Sequence, residues 1–233
     1  MGRPRAALTG SGARLGLGAL LLVASALLFG ALAHELTSGE RLLRLDVALA
    51  RWLHERATPG RTAALIAWTH VHSTAAIAIY AALAAACLWM QQRWRALLTL
   101  VVAVGGVLIL NVLLKLAFGR ARPAFDEPLL TLSTYSFPSG HVAASTVAYG
   151  LGVVCVFVAT QAVHWRLLAL VGAAAAIGLV AFSRLYLGVH YLSDVGAAFA
   201  EGMAWLTVSL IAVDVFWRRR SAAANRPARE RSA

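Results

Sequence analysis

Long apolar runs separated by short polar links set the pattern of the chain. Residues 15–33 carry no charge, and comparable stretches follow at 63–90, 96–118, 142–160, 167 to about 187, and 195–217. An α-helix needs about 20 mostly apolar residues to cross the hydrocarbon core of a bilayer. The pattern therefore predicts six transmembrane helices. Residues 34–61 read differently. There Leu42, Leu45, Leu49 and Trp52 recur at helical spacing, with Arg44, Asp46, Arg51 and Glu55 between them. This predicts an amphipathic helix over about 40–56, lying on the membrane surface or against the span ends, with no evident chemistry of its own. The expected fold is all-α: a polytopic membrane protein built as a six-transmembrane-helix bundle. Its expected division is a short tail (1–14), one membrane domain (15–217) and a basic, disordered tail (218–233). Ala31-Leu32-Ala33 resembles a signal-peptidase site, but the apolar run before it exceeds a usual signal core, so the first span is expected to be retained.

Composition sharpens this picture. Of 233 residues, 60% are hydrophobic and 13% charged, which leaves no room for a separate soluble domain. The net charge of +11 would suit a nucleic-acid partner, but the arginines lie in tails and loops beside the spans and not on one soluble face. The expected partner is the bilayer, not nucleic acid. Six spans put twelve arginines on the side of both termini; the other side has eight arginines and Lys115 against seven of the ten acidic residues. The positive-inside rule then makes both termini cytoplasmic and the opposite face periplasmic or extracellular, in the inner (plasma) membrane. Cys87 and Cys155 fall inside spans, where packing is the expected role. His70 and His72 are expected at an interface. Zinc-type Cys/His spacing and a P-loop are both missing from the sequence.

Candidate chemistry gathers at the outer ends of three spans. Ser136-Phe137-Pro138-Ser139-Gly140-His141 closes a polar loop and opens an apolar helix. Ser139 suits the N-cap, Gly140 admits close approach to the backbone, and the first free amides of the helix attract an anion. The second segment is Lys115-x6-Arg122-Pro123, and the third is Ser183-Arg184-x5-His190-x3-Asp194. Three cations, Lys115, Arg122 and Arg184, in a chain that avoids buried charge imply an anion of about two charges, for which phosphate is the natural choice. At an effective dielectric near 20, each such contact at about 4 Å contributes roughly 4 kcal/mol before desolvation. His190 and Asp194 stand four apart, so on a helix they share a face. The carboxylate would orient the imidazole and leave its other nitrogen free to attack phosphorus. His141 would protonate the leaving alkoxide and then activate water. His141, His190 and Asp194 also form a possible metal triad, but three adjacent cations oppose a divalent ion, so neither metal nor cofactor is expected.

Together these residues resemble the three-part signature of the type 2 phosphatidic acid phosphatase superfamily, with every fixed position present. The resemblance spans residues 115–194 by motif and nearly the whole chain by span layout. It implies a metal-independent membrane lipid phosphatase acting through a phosphohistidine. His190 would be the nucleophile, His141 the acid and Asp194 its orienter, with Lys115, Arg122, Ser139, Gly140 and Arg184 holding phosphate. Short outer loops make it most similar to bacterial lipid phosphatases, whose substrates include phosphatidic acid, phosphatidylglycerophosphate and undecaprenyl diphosphate. Two alternatives remain at this stage. One is a lipid phosphotransferase using the same site; the other is a non-catalytic lipid-phosphate binder or transporter, to which the carboxylates Glu201 and Asp214 would lend support were they not expected at span ends.

Overall fold

The computed structural model describes residues 5–224. Within them the chain is helical, with α1 (Arg5–Ser38), α2 (Glu40–His54), α3 (Pro59–Val71), α4 (Thr74–Met90) and α5 (Trp94–Leu100). A π-helical segment (Val101–Gly105) leads into α6 (Gly106–Phe118), and α7 (Gly140–Ala159), α8 (Val163–Tyr186) and α9 (Leu192–Ala224) complete the order. Six segments among the described residues are long and apolar enough to cross a membrane: α1, α3 with α4, α5 through α6, α7, α8 and α9. Their lipid-type surfaces remain exposed, as with Leu83, Leu116 and Val171. The core instead joins small and branched side chains of the inner helices, including Val107, Ala143, Val147, Val180 and Ala198. α9 packs along α1 and α7, and α7 also packs on α8, so α7 and α9 stand at the centre.

Several elements differ from the sequence expectation. The second span is two helices, and its break at His72 and Ser73 has a local cause. Ser73 caps α4 by accepting from the Ala76 amide at 3.1 Å. His72 is buried inside the protein instead of lying at an interface, hydrogen-bonded to the Tyr149 hydroxyl at 2.6 Å and to the Trp68 carbonyl at 2.9 Å. The third span carries the π segment, where the Trp205 indole donates to the Val102 carbonyl at 3.1 Å. A side-chain donor beside a helical carbonyl is a recognised setting for such a local rewinding. The expected tails begin as helix: α1 starts at Arg5 and α9 continues past Trp217 to Ala224, while residues 1–4 and 225–233 lie outside the described residues. Asp214 pairs with Arg95 at 2.6 Å and with Arg218, one helical turn on, at 2.7 Å.

Candidate active site

The 119–139 loop and the 187–191 turn bring the three motif segments together at one end of the bundle. α6 stops at Gly119, whose left-handed backbone (φ 57°) turns the chain out of the helix and delivers Arg120 and Arg122 from the loop that follows. That loop returns through Tyr135 and Ser136, and Ser136 donates its amide to the Arg120 carbonyl at 2.8 Å. The Phe137–Pro138 peptide is cis. Ser139 then takes the N-cap position of α7, with extended backbone as expected, but its hydroxyl makes no capping bond. That oxygen is buried and has no hydrogen-bond partner among the described residues. Gly140 follows in a space with no room for a side chain, since a Cβ would lie 2.9 Å from Asn111 Oδ1.

The third segment departs from expectation in its local structure. α8 ends at Tyr186 and α9 begins at Leu192, so His190 lies in the turn between them and does not share a helix with Asp194. Gly188 makes the turn possible with φ 66°, and its missing side chain admits the Phe125 ring. The turn still delivers the pair: His190 Nδ1 lies 3.4 Å from Asp194 Oδ2, an ion-pair distance and not an aligned hydrogen bond. Asp194 is itself fully buried. Its Oδ2 accepts from the Tyr191 amide at 2.8 Å and from the Ser136 hydroxyl, and its Oδ1 accepts from Arg120.

Each cation of the site has a distinct setting. Arg122 donates from Nε to the Thr134 carbonyl (2.7 Å) and from Nη1 to the Val189 carbonyl (2.5 Å), and Nη1 also reaches His190 Nε2 at 3.2 Å. A guanidinium only donates, so in that contact Nε2 is the acceptor. This favours the tautomer with its proton on Nδ1, facing Asp194. Burial pulls His190 down to about 3 from the ordinary 6.5, with Arg122 and Arg184 adding to the effect and Asp194 opposing it. Burial likewise lowers the Arg122 pKa. Lys115 donates to the Tyr135 carbonyl at 2.6 Å. Arg184 is 1% exposed and donates from Nη1 to Thr69 Oγ1 at 2.7 Å, while its Nε and Nη2 have no hydrogen-bond partner among the described residues. A buried, half-satisfied guanidinium is costly by itself and suits an anion. His141, in the first turn of α7, is half-buried, and the charges acting on it are those of Arg184, His190, Arg122 and Lys115. No cluster of three or more His, Cys, Asp and Glu side chains is placed to hold a metal ion among the described residues.

Sequence reasoning missed several participants. Glu201, expected at a span end, is buried at 4% exposure and accepts from Asn111 Nδ2 at 2.9 Å, directly beneath the 138–140 loop, whose Pro138 carbonyl the same nitrogen approaches at 3.4 Å. Its signal was present: an isolated carboxylate nine residues into a helical run is expensive in a membrane unless paired. Asp46 was assigned no chemistry, yet it is 1% exposed and bonded to Arg120 and Ser193. Its position between Leu42, Leu49 and Leu53 on the apolar stripe of α2 marked it as inward-facing.

Fold and site together define a multi-pass membrane protein with a cationic, two-histidine site at one end of its bundle. The PAP2 superfamily profile matches residues 96–218, more than half the chain and all three motif segments, and the chain belongs to that family. Phosphatidylglycerophosphatase B of Bacillus subtilis (strain 168) is 35% identical over 117 residues, a match covering 48% of this chain and 55% of that relative. The chain thus spans about half the length of that curated relative. Among solved structures, a transmembrane PAP2 type phosphatidylglycerolphosphate phosphatase from Bacillus subtilis superposes with a TM-score of 0.69 at 27% identity, covering 85% of this chain and 96% of that one. Aquifex aeolicus LpxE shares the fold, with a TM-score of 0.54 at 21% identity over 72% of this chain and 95% of that one.

Proposed function

We propose that the protein is a metal-independent membrane phosphatase that removes the terminal phosphate of a lipid phosphate at the outer face of the inner membrane, both termini being cytoplasmic. The observation that carries this reading is the buried Arg184, with two guanidinium nitrogens that find no partner among the described residues, beside Arg122, Lys115 and the two imidazoles. These cations, with the Ser139 hydroxyl and the first amides of α7 from Gly140 onward, bind the phosphoryl oxygens and stabilise the charge that spreads over them. His190 Nε2 carries the lone pair and attacks phosphorus, forming a P–N bond as the P–O bond to the lipid breaks. His141 gives its proton to the departing lipid alkoxide. It then takes a proton from water, whose oxygen attacks the phosphohistidine and releases inorganic phosphate and free His190. Asp194 holds the Nδ1 proton and stabilises the positive charge that His190 gains on attack.

A lipid substrate is supported by the position of the site at the end of an otherwise lipid-facing bundle. Phosphatidylglycerophosphate is the first choice, because the names of two relatives refer to that phosphatase activity. The test is phosphate release by purified protein from phosphatidylglycerophosphate, phosphatidic acid and undecaprenyl diphosphate in excess EDTA, beside His190→Ala. Release that persists in EDTA and vanishes in the variant is expected. Activity that needs an added divalent metal would overturn the mechanism.

A further inference from the structure

A chain of buried polar contacts runs from the surface helix α2 to the site. Asp46 accepts from the Ser193 amide at 3.0 Å, from the Ser193 hydroxyl, and from Arg120 Nη2 at 2.9 Å. Arg120 spends its other terminal nitrogen on Asp194 Oδ1 and on Ser193 Oγ at 2.7 Å, and its guanidinium lies over the Tyr191 ring at 4.2 Å. Asp46 and Asp194 are both without side-chain exposure and Arg120 has 13%, so solvent screens these charges weakly. The planar fork of one guanidinium is thus bracketed by two carboxylates and backed by an aromatic face, which leaves it little freedom. Arg120 falls inside the first motif segment, between Lys115 and Arg122, but touches neither His190 nor the unpartnered donors of Arg184.

We infer that Asp46 and Arg120 are positioning residues: Asp46, on α2, holds Arg120, and Arg120 pins one oxygen of Asp194 so that the other faces His190. This rests on the reading of His190 as nucleophile given above. The consequence is twofold. Asp194 Oδ2 is fixed toward Nδ1, which keeps Nε2 aimed at phosphorus. The Arg120 charge also offsets that of Asp194, so His190 is less readily protonated and stays nucleophilic in acid. The charged and titratable groups around His190 are Asp194 and Tyr191 from its own turn and α9, Arg120 and Arg122 from the loop, Lys115 from α6, His141 from α7, Arg184 from α8 and Asp46 from α2. Removing Arg120 leaves the Asp194 charge without its nearest counter-ion.

The experiment is a double-mutant cycle on the full-length protein in mixed micelles, with kcat, KM and the pH profile measured for Asp46→Asn, Arg120→Gln, the pair, and Ser193→Ala. Each single charge variant is expected to lose about 10–100-fold in kcat with KM nearly unchanged, the scale of losses when an outer-shell partner is removed. The double variant should be scarcely worse than either single one, because both break one linkage. Arg120→Gln should also move the acid limb of kcat/KM to higher pH. Ser193→Ala deletes one hydroxyl and no charge, so it tests the same linkage with less danger of unfolding, and it should show a smaller kcat loss of the same kind. Multiplicative losses in the double variant, or losses in KM alone, would overturn the inference while the phosphatase reading stands. A wild type that releases no phosphate would remove that reading, and this inference with it.

Discussion

At the scale of single residues, the decisive feature is the contrast between Arg122 and Asp194, each bonded to several protein groups, and Arg184, two of whose nitrogens find no partner among the described residues. Among the described residues Arg184 is held by Thr69 at one nitrogen, so its remaining donors are organised before any anion arrives. Arg184→Ala should lower kcat/KM by about 10²–10³-fold, the usual scale for loss of one preorganised donor to the reacting group, with the thermal midpoint little lowered or even raised because a costly buried charge is gone. A loss of under threefold, measured on phosphatidylglycerophosphate, would remove Arg184 from phosphate binding. The His190 setting gives a pH prediction. Attack needs neutral imidazole, and burial holds its pKa near 3, so the neutral form persists through the mildly acidic range. The acid limb of kcat/KM should therefore lie well below pH 6.5, and a limb at or above that value would contradict the assignment. That Lys115, Arg122, His141, Arg184 and His190 would meet was legible in the sequence because all of them fall at or beside span ends on one side of the bundle. The partners of those residues were not. Nothing in local sequence says that Asp46 meets Arg120 across 74 positions, or that Asn111 meets Glu201 across 90.

At the scale of elements, hydropathy reported spans well and their interruptions poorly. The π segment before α6 occurs inside an unbroken apolar stretch, beside the Trp205 indole that donates to the Val102 carbonyl, while the α3–α4 break falls in the polar run 69–74, where Ser73 accepts from the Ala76 amide. Pattern also placed His190 and Asp194 on one helix, whereas the αL residue Gly188 makes a turn that serves the same purpose. The start of α7 is the element on which the site depends most, and it is packed without slack against α6. Gly140→Ala would drive a methyl group toward Asn111 Oδ1 and disturb its bond to Glu201. Overpacking of this kind costs about 1–3 kcal/mol. The expected result is a lowered thermal midpoint with kcat reduced more than KM is raised, while Gly152→Ala, which meets nothing within 4 Å, serves as the unperturbed comparison on the same helix.

At the scale of the whole molecule, the bundle gathers the candidate site residues at one end, and Arg95 and Arg218 meet at Asp214 near the end of α9. The proposed orientation, read from the charge distribution, is checked by labelling. In a Cys87→Ser, Cys155→Ser background, Ser133→Cys in the 119–139 loop should react with a membrane-impermeant maleimide in spheroplasts, and Gln92→Cys should react only after lysis. The reverse pattern would place the site on the cytoplasmic face. The central claim, transfer of the lipid's phosphoryl group to His190, is tested most directly by rapid acid-free quench of the protein with lipid labelled by ³²P in its terminal phosphate. Wild type quenched within the first turnover is the protein to use, because His141 serves both formation and hydrolysis of the intermediate. Label that is stable to alkali, lost in acid and absent from His190→Ala is the predicted result. A protein that releases phosphate at a measurable rate yet never carries label, or carries it on another residue, would contradict the account.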